Sequence, residues 1–213
     1  MDRKKNILLI GGGGHCVSCI DVIESNNQFT IVGIVDQSKS KDESILGYPI
    51  LGTDEDLPKF RLKYDYAFVT IGHMKSNKAR VKSFELLKSL EFKIPTIVSK
   101  TAIVSAHSSI DEGTIVMHHA IVNANSRVGK NCIINSKALI EHDNHVGSHC
   151  HISTNSTLNG SVRIGDNCFI GSNSKTVNNI TIKNNIFVGI DSLVTKNLSE
   201  PGMYLGSPAR KYK

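Results

Sequence analysis

Tryptophan is absent from this 213-residue chain, and aromatic residues make up only 6% of it. With no aromatic-rich sheet motif and no recognition helix, a nucleic-acid partner is not expected. Long apolar runs are missing too, and nothing approaches the length of a membrane span. Met1-Asp2-Arg3-Lys4-Lys5 leads straight into a short apolar strand rather than a signal peptide, so a cytoplasmic protein with no membrane partner is expected. Hydrophobic residues at 39% and charged residues at 21% are those of a soluble globular chain. The charge balance is basic, with a net +6 and a pI near 9.0. That suits phosphorylated ligands, although a lysine-rich surface with no special partner reads the same way.

What is present is a repeat. From Val104 to Val194 an aliphatic residue returns every sixth position, with Thr176 the single break in an otherwise complete series of Val, Ile and Leu. A helix needs a period near 3.6 and a strand a period of 2, so neither fits. A stride of six fits short strands joined by tight bends, stacked as a solenoid. Two residues before each aliphatic runs a second column, mostly small: Ser126, Cys132, Ala138, Asn144, Cys150 and Ser156 are examples. It is expected to face inward in a narrow prism. Glycine follows the aliphatic at Gly129, Gly147, Gly165, Gly171 and Gly189, where a bend is expected to want a positive φ. Three hexads make a triangular coil of 18 residues, so the run holds about five coils, each about 4.8 Å above the last.

The first hundred residues have a different character. Asn6–Ile10 is a compact apolar run of the buried parallel-strand kind, followed by Gly11-Gly12-Gly13-Gly14-His15, a helical stretch to about Asn26, and a strand from Thr30 to the acid Asp36. Strand, glycine turn, helix, strand and acid form the first unit of a nucleotide-binding α/β fold, in which the helix N-terminus offers free N–H groups to a phosphate. The fingerprint is incomplete, because Cys16 stands where the third glycine would be, and a tight turn alone would also use these glycines. Further strands are predicted at Ala67–Gly72 and Ile94–Val98, the latter closing the sheet. A helix is predicted from Ser76 to about Phe92, with Val81, Phe84, Leu87 and Leu90 inward.

Cysteine is sparse, at five residues. Cys132, Cys150 and Cys168 are one coil apart and are expected to be buried, inert thiols; Cys16 and Cys19 are expected to pack on the first helix. Six of nine histidines lie between His118 and His151. His142 falls two places after the inward Ile140, at a bend, and should point out of the prism. Asp143 beside it could hold its orientation and raise its basicity, as a general base needs. A zinc site from His142, His145, His149 and His151 is the competing reading, but these occupy different phases of the hexad and leave the prism on different faces. No metal is expected.

Gly11–His15, Ile140-Glu-His-Asp143, His151-Ile-Ser153 and Gly206-Ser-Pro-Ala-Arg210 together resemble the sugar O-acyltransferase and sialic-acid O-acetyltransferase family of hexapeptide-repeat acyltransferases. Within it, the chain most resembles bacterial N-acetyltransferases of nucleotide-linked 4-amino-4,6-dideoxysugars. The resemblance implies a Rossmann-like α/β domain over residues 1–99 that binds the nucleotide-sugar, then a left-handed parallel β-helix acetyltransferase domain with a C-terminal tail over residues 100–213. It implies acetyl-CoA as co-substrate, His142 as general base and Asp143 as the acid that enhances its basicity. His151, Ser172, Gly189 and Ile190 would contact acetyl-CoA. Gly13, Gly14 and His15 would hold the nucleotide-sugar, with Asp36 and Gln37 at the nucleoside. It also implies a homotrimer with active sites between subunits. Ile152-Ser-Thr-Asn155 and Leu158-Asn-Gly160 resemble the O-acetylating branch equally, so O-acetylation of a sialic-acid-like sugar is the alternative.

Overall fold

A computed structural model describes residues 4–74 and 76–212; the residues Met1–Arg3 invoked for localisation lie outside that range. The chain divides into two units, residues 1–100 and 101–213.

The first unit carries β1 (Lys5–Ile10), α1 (Gly14–Asn26), β2 (Phe29–Val35), a hairpin of β3 (Ser44–Ile45) and β4 (Tyr48–Gly52), α2 (Leu57–Arg61), β5 (Tyr66–Val69) and α3 (Lys78–Ser89). The sheet order is β3-β4-β2-β1-β5, parallel except for the β3–β4 pair. Ile7, Leu8, Leu9, Ile34 and Phe68 are fully buried, as strands covered on both faces require. Ile97–Val98 is not a strand of this sheet, contrary to the pattern-based expectation. The sheet ends in β5 on one side and in the β3–β4 hairpin on the other, whose turn-rich sequence hid two short strands. On α3, Phe84 and Leu87 are buried as predicted, but so is Arg80, at 1% exposure. Its Nη1 donates to the carbonyls of Val69 and Ile71, each at 2.8 Å, so the guanidinium ties off backbone leaving the end of β5.

The second unit is a parallel β-helix. Its first wall stacks Ile103–Val104, Ile121–Val122, Leu139–Ile140, Thr157–Leu158, Lys175–Thr176 and Leu193–Val194. The second stacks Ser109–Ile110 through Thr181–Ile182, and the third includes Ile115–Val116, Ile133–Ile134, His151–Ile152, Phe169–Ile170 and Ile186–Val188. Register partners lie 18 residues apart, as in Ile121↔Leu139 and Ile133↔His151. The aliphatic column is the core, with Val122, Ile134, Ile140 and Ile152 fully buried. The outward residues make three unlike walls: aliphatic Ile103, Ile121 and Leu139 on the first; polar Arg127, His145 and Arg163 on the second; and buried Ile115, Ile133, His151 and Phe169 on the third.

Two expectations are corrected. The glycines after the aliphatics do not take positive φ; that conformation falls two residues later, at Asn125, Asn131, Asp143, Asn155 and their equivalents. Asn and Asp tolerate the left-handed region through local side-chain bonds. Gly129 and Gly147 are instead places of close approach: a Cβ on Gly129 would lie 2.8 Å from the Gly147 carbonyl carbon, and one on Gly147 would lie 2.7 Å from that of Gly165. The second column is also more than small. Thr114 Oγ1, Cys150 Sγ, Ser156 Oγ and Ser174 Oγ each donate to the carbonyl 15 residues on, at 2.7, 3.1, 2.9 and 2.6 Å, satisfying corner oxygens inside the prism. The C-terminal tail also joins the lattice. Gly202–Leu205 pairs parallel with Ile186–Val188 and Arg210–Lys211 returns antiparallel, covering an edge that would otherwise stay unpaired.

Candidate active site

In the first unit the order of strands reverses about β1, with β2 on one side and β5 on the other, the topology that opens a crevice beyond the carboxyl ends of β1 and β5. Gly11–His15 emerge there. Gly11 has a φ of +102° and a Cβ on it would lie 2.3 Å from Ile71 Cγ1, so this glycine serves the fold. Nothing lies within 4 Å of where a Cβ on Gly13 or Gly14 would be, so their backbone faces open space. Gly13 is the N-cap of α1, with no side-chain cap and no acid in the first turn, which leaves the positive end of the helix open to an anion. Asp36 follows β2 and is turned inward on the loop: its Oδ2 accepts from the Gly12 N–H at 2.6 Å and its Oδ1 from Ser38 N and Oγ, each at 2.8 Å. Burial pushes its carboxyl up, but the bonds from Gly12 and Ser38 outweigh that and hold it below the usual range. Gln37, next to it, is exposed.

The segment after β5, which the sequence reading left without a role, also borders this crevice. A Cβ on Gly72 would lie 3.4 Å from His15 Cβ. Thr70 Oγ1 donates to the Gly11 carbonyl at 2.6 Å, and His73 is buried. Burial first, then the Arg80 charge, push His73 down to about 4, so its ring is neutral. The signal for this segment was Gly72-His73 at the end of the apolar run Ala67–Ile71.

In the second unit His142 and Asp143 share the corner that follows the first wall. Both are exposed, and His142 Nδ1 is 2.7 Å from Asp143 Oδ2. An ionised carboxylate only accepts, so Nδ1 carries the proton; in the neutral imidazole the free lone pair is then on Nε2, the tautomer a general base needs. Asp143 is anionic in this arrangement: the bonds from His142 and then Asn125 hold its carboxyl below the usual range. The imidazole lies across Gly160 of the next coil, where a Cβ would be 2.8 Å from both Cε1 and Nε2 of His142 and 3.2 Å from Asn178 Nδ2. The lone break in the aliphatic series falls here too. Thr176 Oγ1 accepts the Asn159 N–H at 3.1 Å, and Asn159 Nδ2 donates to the Thr176 carbonyl at 2.7 Å, displacing the regular ladder beside Gly160.

His151 lies elsewhere, on the outward side of the third wall. Its Nε2 is 3.1 Å from Asn135 Nδ2 and its ring meets Phe169 edge-on at 5.1 Å, with Phe169 stacked on Phe187 at 4.5 Å. Ser172, Gly189 and Ile190 sit on the corner after that wall, in successive coils. Ser172 Oγ is 3.0 Å from Ser153 Oγ, Gly189 packs under Leu205, and Ile190 is 68% exposed. The base pair and this second group therefore lie on the two corners that flank the first wall, and the fold of one chain does not bring them into contact. The four histidines of the zinc reading leave by two corners and two walls. Among the described residues, no group of three His, Cys, Asp or Glu is arranged to hold a metal ion.

The PglD N-terminal domain family matches residues 6–87, and the bacterial transferase hexapeptide family matches residues 145–178. No curated protein matches at a significant level. Among solved structures, PerB from Caulobacter crescentus, in complex with CoA and GDP-perosamine, is 31% identical with a TM-score of 0.91, over 98% of this chain and 97% of that one. The chain belongs to the hexapeptide-repeat acetyltransferases of nucleotide-linked amino sugars. Its β-helix is the left-handed parallel one of that family. The acetyltransferase domain of PglB from Neisseria gonorrhoeae, in complex with acetyl coenzyme A, is 25% identical with a TM-score of 0.90, over 99% of this chain and all of that one. Variants of perosamine N-acetyltransferase from Caulobacter crescentus, with one histidine replaced by Asn or Ala, were also solved with CoA and GDP-perosamine; each is 28% identical with a TM-score of 0.92, over 98% of this chain and 97% of that one.

Proposed function

We propose that this protein transfers an acetyl group from acetyl-CoA to the 4-amino group of a nucleotide-linked 4-amino-4,6-dideoxysugar, in the cytoplasmic biosynthesis of a bacterial surface-glycan or glycoprotein sugar. The observation that carries this reading is the exposed His142–Asp143 pair, Nδ1 to Oδ2 at 2.7 Å, in a chain like the perosamine enzyme over nearly its full length. The neutral sugar amine attacks the thioester carbonyl while His142 Nε2 takes its proton. The tetrahedral oxyanion collapses, the C–S bond breaks, and the departing CoA thiolate takes up a proton. Asp143 fixes the tautomer of His142 and offsets the charge that forms on it. The open backbone of Gly13 and Gly14, with His15 and the uncapped end of α1, suits the diphosphate; Asp36 and Gln37 are the nucleoside contacts in this reading. His151, Ser172, Gly189 and Ile190 are the acetyl-CoA residues.

The assembly we propose is a homotrimer. The aliphatic ladder of Ile103, Ile121 and Leu139 on the first wall, with Ile103 62% exposed, suits a second copy. The base and three of the cofactor residues, Ser172, Gly189 and Ile190, lie on the corners flanking that wall, so packing there would bring the corner of one copy against the corner of another. The amino sugar of the 31% identical relative favours N- over O-acetylation. The decisive experiment is CoA-thiol release across a panel of nucleotide-linked amino sugars and sialic acids, with light scattering on the same sample. Turnover of an amino sugar by a trimer that is lost in His142→Ala is expected. Acetylation of sialic acids alone, an active monomer, or full activity in a folded His142→Ala protein would each overturn the corresponding part.

A further inference from the structure

Both acids beside His142 are held from the coil beneath. Asn123 Nδ2 donates to Glu141 Oε2 at 2.9 Å, and Asn125 Nδ2 donates to Asp143 Oδ1 at 2.5 Å. Asn123-Ala124-Asn125 is thus stacked under Glu141-His142-Asp143, one 18-residue coil earlier, with the small Ala124 under the histidine. The two oxygens of Asp143 have separate partners: Oδ2 takes the His142 Nδ1–H and Oδ1 takes the Asn125 amide. The Asp143 side chain is 46% exposed, so without the second bond its carboxylate is free to swing toward water and release the imidazole. With both bonds made, rotation about its Cβ–Cγ bond breaks one or the other. The backbone reinforces this, since Asp143 sits at φ +61° and its N–H donates to the Ala124 carbonyl at 3.1 Å.

We propose that Asn125 is a positioning residue for the base: it orients Asp143 so that Oδ2 faces Nδ1 and Nε2 stays the proton acceptor. The proposal rests on His142 being the general base. Similar rungs occur where no base stands, as in Asn155 Nδ2 to Asn173 Oδ1 at 2.5 Å, so stacking of side chains at left-handed positions is a property of the lattice. What sets Asn125 apart is that its rung ends on a carboxylate bonded to an imidazole.

The test uses two variants that keep the backbone at Asn125, which has a φ of +59°. Asn125→Gly removes the amide without left-handed strain, and Asn125→Asp keeps the shape while replacing a donor with a like charge beside Asp143. For Asn125→Gly, kcat should fall about tenfold with KM for both substrates within about twofold of the parent. For Asn125→Asp, the added negative charge should favour the protonated imidazole, so the acid limb of the kcat/KM profile should move to higher pH. A rung that is merely structural would lower the unfolding temperature and leave kcat and the acid limb in place, and that result overturns the proposal. His142→Ala is measured alongside. If it retains full activity, the general-base reading fails; if it is inactive while both Asn125 variants behave as the parent, only the present inference fails.

Discussion

Gly160→Ala should separate catalysis from stability. A Cβ at residue 160 would stand 2.8 Å from Cε1 and Nε2 of His142, while carbon contacts settle at about 3.5 Å or more. The ring must therefore retreat by about 0.7 Å or rotate away. His142 is exposed, so moving it costs the fold little, but the 2.7 Å bond to Asp143 cannot follow such a shift unchanged. Misplacement of a reacting group by about 1 Å costs on the order of 10²-fold, so kcat should fall between about 10- and 100-fold. Gly160 does not occupy the left-handed region, so alanine fits the backbone and should be neutral or stabilise by about 0.4–1 kcal/mol through the unfolded chain. The assay is CoA-thiol release at saturating acetyl-CoA, paired with thermal unfolding. Unchanged kcat would refute the argument that Gly160 makes room for the base. Loss of kcat together with a drop of several degrees in Tm would show that the glycine serves the fold instead.

Asp143→Asn should lower kcat less than His142→Ala does, because it weakens the orientation and basicity of the imidazole without removing it; equal losses in steady-state kinetics would argue against that division. His73 gives a pH signature in unfolding. Its folded pKa of about 4 lies below the ordinary 6.5, so between those values the unfolded chain binds a proton that the folded one refuses. Stability should therefore fall by up to about 3 kcal/mol as pH drops from about 6.5 to 4, and denaturant titrations of His73→Gln should lose that slope. Cys150→Ser should keep activity and cost under about 1.5 kcal/mol, since Ser156 and Ser174 make the same bond to the carbonyl 15 residues on. Ile134→Asp, a charge in the closed apolar column, should yield no folded protein by circular dichroism.

Reading residues alone was enough wherever the physics is periodic or local. The six-residue stride gave the prism, its inward column and the outward corner of His142, because a two-residue strand between fixed bends leaves each phase only one direction to face. The glycine turn and the acid ending β2 were legible because a strand–turn–helix unit is a local structure. Asp143 beside His142 needed nothing more than adjacency. Interactions between residues far apart in the chain were not legible in this way. Gly129 and Gly147 are glycine because the next coil presses on them, a contact that exists only once the coils are stacked. The buried thiols and hydroxyls are donors, a role that appears when the carbonyl 15 residues on becomes an orphan inside the prism. Asn125 meets Asp143, and Gly160 meets the imidazole, only across the coil spacing, and the buried Arg80 reaches the carbonyls of Val69 and Ile71 only once the chain has folded. Folding also separates His142 from Ser172 and Ile190, which a linear motif places on one list. They stand on different corners of the prism, because a wall of extended chain lies between one bend and the next.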